Sequence, residues 1–92
     1  MGFDMAGWRL RLKGQQLLKI GKGADNPHQL HLRSGISYPT VKKYVDEPGE
    51  VRAYDSNVLP GILIDGQGLT PDQMLEMRLG DLFELIYEGP AK

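Results

Sequence analysis

Three residues between positions 38 and 43 have the types and spacing that suit a chemical task, namely hydrogen-bonded recognition of a nucleic acid. These are Tyr38, Lys42 and Lys43. A lysine can donate to guanine O6 or N7, and a tyrosine ring can touch a thymine methyl group or bind a phosphate through its hydroxyl. On one outward face near the start of a helix, such side chains are what insertion into a major groove requires.

The elements that must position these side chains are two short helices around a turn. Asn26 is a good N-cap for the first helix, and Pro27 suits its first position, where a missing N–H costs nothing. Gly35 is expected to end this helix, Ile36 to fill the angle between the helices, and Ser37 to cap the second. The arrangement, about residues 27–46, is a helix-turn-helix.

An apolar stripe supports the second helix. Val41, Tyr44 and Val45 lie at i, i+3 and i+4, and Pro48-Gly49 ends the segment. Lys42 and Lys43 then point away from the stripe. Leu30 of the first helix is expected to meet Val41 across the turn.

This stretch resembles the Cro/phage-repressor (XRE-type) helix-turn-helix family, whose pattern runs Gln-x-Leu-Ala-x-x-x-Gly-hydrophobic-Ser-x-x-Thr-hydrophobic. Gln29 stands one position off the pattern, directly before Leu30. The positions that match are Gly35, Ile36, Ser37, Thr40 and Val41. Arg9–Lys13 is similar to the family's first helix, and Leu79–Glu84 to its characteristic ending.

The resemblance implies an all-α fold, a compact bundle of about five short helices like the lambda repressor DNA-binding domain. It would also make Trp8 to Ile20 a helix, although the alternation of residues 8–13 fits a strand as well. Three departures stand out: His31 replaces a small alanine, Pro39 lies inside the recognition segment, and Asp65 to Met77 is longer than the family's usual link.

Geometry and the resemblance together assign the candidate DNA contacts. Tyr38 and Lys42 are expected to contact base edges. Phosphate contacts are expected from Ser37, Thr40, Lys43 and Gln29. Arg33, Arg9 and Arg11 would extend the footprint along the backbone. For each, the alternative is an ordinary exposed side chain or, for Ser37, a helix cap alone.

Charge is divided between the two halves of the chain. Residues 1–45 contain eight cations and two acids, a net of +6, whereas residues 46–92 contain three cations and ten acids, a net of −7. A basic half joined to an acidic half suggests one surface that meets a polyanion and another that does not.

The acidic half, about residues 55–87, is harder to interpret. Val58 to Leu63 has partly helical spacing, and a strand at 61–65 competes with it. Thr70 begins a clear helix with a near capping box, which Gly80 is expected to break. A final turn or two is expected to follow from Asp81, with Leu82, Phe83, Leu85 and Ile86.

Composition excludes several classes of protein. The chain of 92 residues fits one domain, 1–92, and has no cysteine, so disulfides, thiol chemistry and cysteine metal sites are excluded. Neither a membrane span nor a secretion signal is recognised, and we expect a cytoplasmic, nucleoid-associated protein. His28 and His31 lie three residues apart, but a surface or capping role is favoured over a metal site. We expect no enzyme activity and no cofactor.

The resulting hypothesis is a prokaryotic or phage transcriptional regulator that binds a specific sequence of double-stranded DNA, in the manner of a repressor. A homodimer is expected because one module of this size covers only a few base pairs. Its interface would use Leu79, Leu82, Phe83 and Ile86, unless these are core residues. The alternative is a protein-interaction module, an antitoxin or adaptor, that uses the acidic half.

Overall fold

The computed structural model describes residues 7–51 and 53–88. Two strands, β1 (Trp8–Leu12) and β2 (Phe83–Tyr87), bracket the helices. The α-helices of the described residues are α1 (Pro27–Ser34), α2 (Tyr38–Asp46), α3 (Val58–Pro60), α4 (Pro71–Leu75) and α5 (Leu79–Leu82). Two 3-10 helices (Gly14–Leu18 and Pro48–Glu50) and a π-helix (Gly61–Gly66) complete the order.

The expectation of an all-α fold is wrong, although the number of short α-helices agrees with it. β1 and β2 form a two-stranded antiparallel sheet, in which Trp8 is opposite Tyr87 and Leu12 is opposite Phe83. The alternation of apolar and charged residues in β1 has the period of a strand, and β2 is rich in the aromatic and branched side chains that strands prefer. The sheet joins the two ends of the described chain.

The predicted first helix, Trp8 to Ile20, is therefore a strand followed by a 3-10 helix. Gly14, the first residue of that 3-10 helix, packs so close to α2 that a Cβ atom would overlap the backbone carbonyl oxygens of Tyr44 and Val45. Gln15 Nε2 donates to the same Val45 oxygen at 3.2 Å. This close approach brings the N-terminal segment against the C-terminal end of α2.

The segment of α1 and α2 has the predicted local structure at its first cap, its glycine turn and its apolar stripe, but not at the expected Ser37 cap. The Asn26 side chain accepts a hydrogen bond from the Gln29 amide at 2.9 Å, and Pro27 occupies the first position of α1. Gly35 ends α1 with φ of +78°, a left-handed conformation that favours glycine. α2 then begins at Tyr38 and buries Val41, Tyr44 and Val45, as its apolar stripe predicts.

The core lies between the helix pair (α1 and α2), the first 3-10 helix (Gly14–Leu18) and the π-helix. Eleven apolar residues are buried among those described: Leu12, Leu17, Ala24, Leu30, Val41, Tyr44, Val45, Val51, Ile62, Leu63 and Leu82. Tyr54 links this core to the sheet, because its hydroxyl accepts from the Leu12 amide and its ring meets the Phe83 ring edge-on at 5.3 Å.

One polar side chain, Gln67, is buried inside this core and makes four hydrogen bonds. Its Oε1 accepts from the amides of Gly23 and Ala24 at 2.9 and 2.7 Å. Its Nε2 donates to the carbonyls of Leu17 and Ala24 at 2.5 and 3.0 Å. Every donor and acceptor of the side-chain amide is used, so Gln67 fixes the loop that precedes α1 at no cost in unpaired polar groups.

The acidic half differs from its predicted elements at both uncertain points. Residues 61–65 are neither α-helix nor strand but lie in the π-helix, whose Ile62 and Leu63 are fully buried. The helix that begins after Thr70 has the predicted capping box with Gln73, yet it ends at Leu75. Gly80 does not break it; Gly80 lies inside α5.

The predicted final helical turns end at Leu82, and the chain continues as β2. The residues from Phe83 onward pair with β1. Pairing gives the backbone N–H and C=O groups of both strands the hydrogen bonds that a single strand lacks. Over residues 7–51 and 53–88, no helix has the length and apolar content needed to span a bilayer.

Candidate nucleic-acid interface

The outer side of α2 is polar and exposed at its first turn. The Ser37 hydroxyl donates to Thr40 Oγ1 at 2.9 Å and makes no hydrogen bond to the backbone of the helix, so the expected cap by this side chain is not formed. Ser37 and Pro39 are exposed and Thr40 is half-buried. The first amides of α2 therefore remain without a side-chain partner from Ser37, and an external oxygen can accept from them.

Tyr38 stands at the first position of α2 and contacts two histidines of α1. The rings of Tyr38, His28 and His31 lie at mutual centroid distances of 6.1 to 6.2 Å. Tyr38 and His28 are exposed, whereas His31 is half-buried. The three rings form one cluster across the junction of the two helices, which orients the Tyr38 ring at the start of α2.

The turn between the helices also depends on His31. Its Nδ1 lies 2.6 Å from the Ile36 carbonyl, so Nδ1 is the protonated nitrogen. The imidazole thus ties α1 to the turn that follows it. His31 faces the turn instead of separating the two helices.

Lys42 and Lys43 are both exposed on α2. Lys42 Nζ is 3.3 Å from Asp46 Oδ2, one helical turn further on. This hydrogen bond, with the negative charge of Asp46, raises the pKa of Lys42 above its ordinary value. Lys42 is therefore positively charged at neutral pH, and its ammonium is paired with the exposed carboxylate of Asp46.

Gln29 lies in the first turn of α1 and is exposed. Its side-chain oxygen accepts from the Asp25 amide at 2.7 Å, while Asn26 accepts from the Gln29 amide. These two hydrogen bonds cap the N-terminus of α1. The Gln29 side-chain nitrogen makes none of the hydrogen bonds described and can donate outward.

The three arginines assigned to the footprint are engaged elsewhere in the fold. Arg33 Nε donates to the Gly66 carbonyl at 2.6 Å, at the end of the π-helix. Arg11 pairs with Glu84 across the sheet at 2.9 Å. Arg9 Nη2 donates to the Gly49 carbonyl at 3.1 Å, and Nη1 lies 3.4 Å from Glu88.

The structure thus brings part of the predicted set together. Gln29, Ser37, Tyr38, Thr40, Lys42 and Lys43 share the helix pair, whereas Arg9 and Arg11 lie on β1 in the sheet. His28 was not among the predicted contacts, but it adjoins Tyr38. The signal that could have found it is its position in the first turn of α1, beside the start of α2.

Comparison with family models, curated proteins and solved structures gives no match for this chain. Its function must be argued from its own residues.

Two other kinds of candidate site are a cluster of metal-ligating side chains and a cavity. No group of three or more histidine, cysteine, aspartate or glutamate side chains comes together among residues 7–51 and 53–88. A cavity of about 680 Å³ is an open groove beside the end of α2, lined by Arg11, Lys13, Lys19, Asp46, Glu50 and Glu84 among others. Its charges are mixed and none of these side chains is deeply buried, so it does not select one ligand charge.

Proposed function

We propose that this protein binds double-stranded DNA at specific sequences and regulates transcription. One observation supports the proposal above the others: α2 is held to the core by Val41, Tyr44 and Val45, and its opposite side presents Tyr38, Lys42 and Lys43. A rigidly packed helix with an exposed side of hydrogen-bond donors and cations is the device with which a helix-turn-helix enters a major groove.

The mechanism assigns a separate task to each part of this surface. Tyr38 and Lys42 would contact base edges, since they lie one turn apart on α2. Ser37, Thr40, Lys43 and Gln29 would bind phosphates. The free amides at the start of α2 add to this role, because the N-terminus of a helix attracts anions.

The ion pair of Lys42 with Asp46 bears on specificity. To reach a base, the Lys42 ammonium must leave Asp46, and an exposed pair of this kind is worth at most about 1 kcal/mol. Replacing the Lys42–Asp46 ion pair by a contact with a base therefore costs little free energy. On a wrong base the ammonium gains little and returns to Asp46, so the carboxylate favours binding sites that offer Lys42 a good acceptor.

The proposed contact set is smaller than the one expected from the sequence. We assign Arg9, Arg11 and Arg33 to the architecture, because each already binds a carbonyl or carboxylate of the protein. His28 joins the surface instead, beside Tyr38. Binding at a promoter would block or recruit polymerase, and this role implies a cytoplasmic, nucleoid-associated protein.

The proposal is tested by fluorescence anisotropy of labelled genomic fragments, beginning with the region upstream of the protein's own gene, over a series of salt concentrations. We expect saturable binding whose logarithm falls linearly with the logarithm of salt, and tighter binding to one fragment than to scrambled DNA. Absence of binding even at low salt would refute it.

A matched pair of variants tests the assignment of the surface. Lys42→Ala with Lys43→Ala should weaken binding, and loss of the Lys43 phosphate contact should lower the magnitude of the salt slope by about 1, since each phosphate contact contributes roughly 0.9. Lys13→Ala removes a charge of the same kind from the residue that follows β1, whose Nζ donates to the Gly80 carbonyl. The Lys13 variant should bind like the parent protein; equal losses in both would contradict the proposed surface.

A further inference from the structure

A small cavity lies where the loop before α1 meets the chain that follows the π-helix. It has a volume of about 320 Å³ and is lined by Lys22 of the loop, Arg33 of α1, Gln73 of α4 and residues 67–69, among others. This volume is at the lower end of the range found for small-molecule sites. The cavity, here called the Arg33 cavity, shares no residue with the surface assigned to DNA.

The charges of the Arg33 cavity have one sign. Lys22 and Arg33 are its cations, and the described residues that line it include no aspartate or glutamate. The groove beside the end of α2 differs, because Asp46, Glu50 and Glu84 lie among its cations. A cleft lined by one sign of charge concentrates ions of the opposite sign. The Arg33 cavity therefore favours an anion.

The guanidinium of Arg33 is held in a fixed orientation. Its Nε donates to the Gly66 carbonyl at 2.6 Å. It also packs against Gly23, where an added Cβ atom would lie 2.8 Å from Nε and 2.9 Å from Nη2. Within residues 7–51 and 53–88, neither Nη1 nor Nη2 donates a hydrogen bond to the protein. A guanidinium whose plane is fixed and whose terminal N–H groups are available suits a bidentate contact with a phosphate.

The loop that carries Lys22 is fixed by Gln67. The Lys22 amide donates to the backbone carbonyl of Gln67 at 3.2 Å, and the buried Gln67 side chain accepts from the amides of Gly23 and Ala24. Gly21 has φ of +85°, and a Cβ atom there would lie 2.5 Å from the same Gln67 carbonyl oxygen. The backbone at Lys22 is therefore in place before a ligand arrives, which lowers the cost of binding.

Gln73 adds a neutral hydrogen-bond donor to the lining. Its Oε1 accepts from the Thr70 amide in the capping box, which sets the orientation of the side-chain amide. Its Nε2 and the Nζ of the exposed Lys22 make none of the hydrogen bonds described. Two cations and one neutral donor match an anion with several oxygens and a charge near −2, which are the properties of a phosphate group at neutral pH.

The Arg33 cavity and the DNA surface lie on different sides of α1. Arg33 comes two residues after His31, which contacts Tyr38, and each residue turns a helix by about 100°. Arg33 is therefore about 200° around α1 from His31. A ligand in the cavity leaves the exposed side of α2 accessible to DNA.

We propose that the Arg33 cavity binds a small anion of the phosphate class, either inorganic phosphate or a phosphomonoester. Arg33 and Lys22 supply the positive charge, and Gln73 supplies a further donor. The site does not depend on DNA binding. Because both cations are exposed, water weakens their attraction for the anion, and we expect a dissociation constant on the order of 1 mM for inorganic phosphate.

The test is a titration of the full chain, without DNA, with sodium phosphate at constant pH, followed by amide chemical shifts in two-dimensional NMR. Sodium chloride at equal ionic strength is the reference. We expect saturable shifts of the amides of residues 21–24 and 67–69 and no shift of the amides of α2. Glycerol phosphate is titrated in parallel: tighter binding than that of inorganic phosphate would identify an ester as the occupant, and weaker binding would identify inorganic phosphate.

Three variants locate the site. Lys22→Gln removes a charge from an exposed side chain, so the fold should be kept while phosphate binding weakens by about tenfold. Arg33→Gln should reduce binding below detection. Lys19→Gln, at an exposed lysine three residues before Lys22 that does not line the cavity, should bind phosphate like the parent protein.

The contradicting outcomes are distinct. Shifts that do not saturate, or that chloride reproduces, would overturn the proposal, as would equal phosphate binding by Lys22→Gln and the parent protein. If duplex DNA but not phosphate shifts the amides of residues 21–24, the cavity belongs to the DNA interface and the proposal is wrong. If Arg33→Gln does not fold by circular dichroism, the comparison of Lys22→Gln with Lys19→Gln still decides.

Discussion

The helix-turn-helix pair and the two-stranded sheet distribute their side chains in opposite ways. α2 buries Val41 and Val45 and exposes Lys42 and Lys43, as expected for a surface that meets water or a polyanion. The sheet draws Arg9 inward and exposes Trp8. The difference teaches that one small fold can present a polar, cationic surface on a helix and an apolar surface on a sheet; the proposed DNA contacts belong to the first.

The two regions also differ in how they are held together. The helix pair is built from neighbours in sequence, with Asn26, Gly35 and His31 each acting within a few residues. The sheet joins residues from opposite ends of the chain. The regions meet where Gly14 lies against the end of α2, so changes at this contact test whether they form one cooperative unit.

The largest effect is expected at that contact. Gly14→Ala would place a Cβ atom against the backbone carbonyls of Tyr44 and Val45, which cannot move aside as a flexible side chain would. We expect a loss of more than about 3 kcal/mol in the free energy of unfolding, measured by urea denaturation. Gly80→Ala, at an exposed glycine of α5 with open space around it, should leave stability unchanged or raise it. A stable Gly14 variant would mean that the two regions are not packed as described.

The next largest effect is expected at the buried amide that supports both regions. Gln67→Met preserves the length of the side chain but leaves the amides of Gly23 and Ala24 and the carbonyl of Leu17 without that partner. Each unsatisfied buried group costs about 1 to 3 kcal/mol, so we expect a loss of at least about 3 kcal/mol. Gln73→Met, which removes one exposed capping bond, should cost less than about 1 kcal/mol in the same denaturation experiment. Similar losses for both would contradict the role of Gln67.

A smaller effect is expected within the helix pair. Gly35→Ala forces an alanine into the left-handed conformation at φ of +78°, with no steric contact to add to the strain. The expected cost is about 1 kcal/mol. Gly49→Ala, where φ is not positive and the surroundings are also open, is the control and should be near neutral. Thermal unfolding compares the two; equal midpoints would contradict the conformation of the turn.

The smallest effect is expected from the ion pair of Arg11 and Glu84 on the sheet. Glu84→Gln breaks the pair with Arg11, whose members are about 40% exposed, and should cost less than about 1 kcal/mol. The difference from the parent should shrink further in high salt. A much larger loss that high salt removes would mean that charge pairing, and not the apolar side of the sheet, dominates its stability.

Sequence patterns predicted the parts of the fold that depend on near neighbours. The caps at Asn26 and Thr70, the glycine turn at Gly35 and the stripe of α2 all follow from short-range rules. The sheet was missed because its strands lie more than 70 residues apart, and a resemblance to a helix outweighed the alternation in β1.

The candidate site could be predicted only in part, because the hydrogen-bond partners of some of its side chains lie far away in the sequence. The exposure of Lys42 and Lys43 follows from helical spacing, whereas the contact of Arg33 with Gly66 depends on how distant elements pack. Gln67 was overlooked because a glutamine between two glycines is typical of a surface loop. Its burial is set by the loop before α1, which needs partners for its amides.

The central claim, that α2 and not the sheet meets DNA, is tested most directly by amide chemical shifts in two-dimensional NMR. Adding duplex DNA should shift the amides of Gln29, Ser37, Tyr38 and residues 40–43 and leave those of β1 and β2 unchanged. Shifts that centre on the sheet would contradict the account.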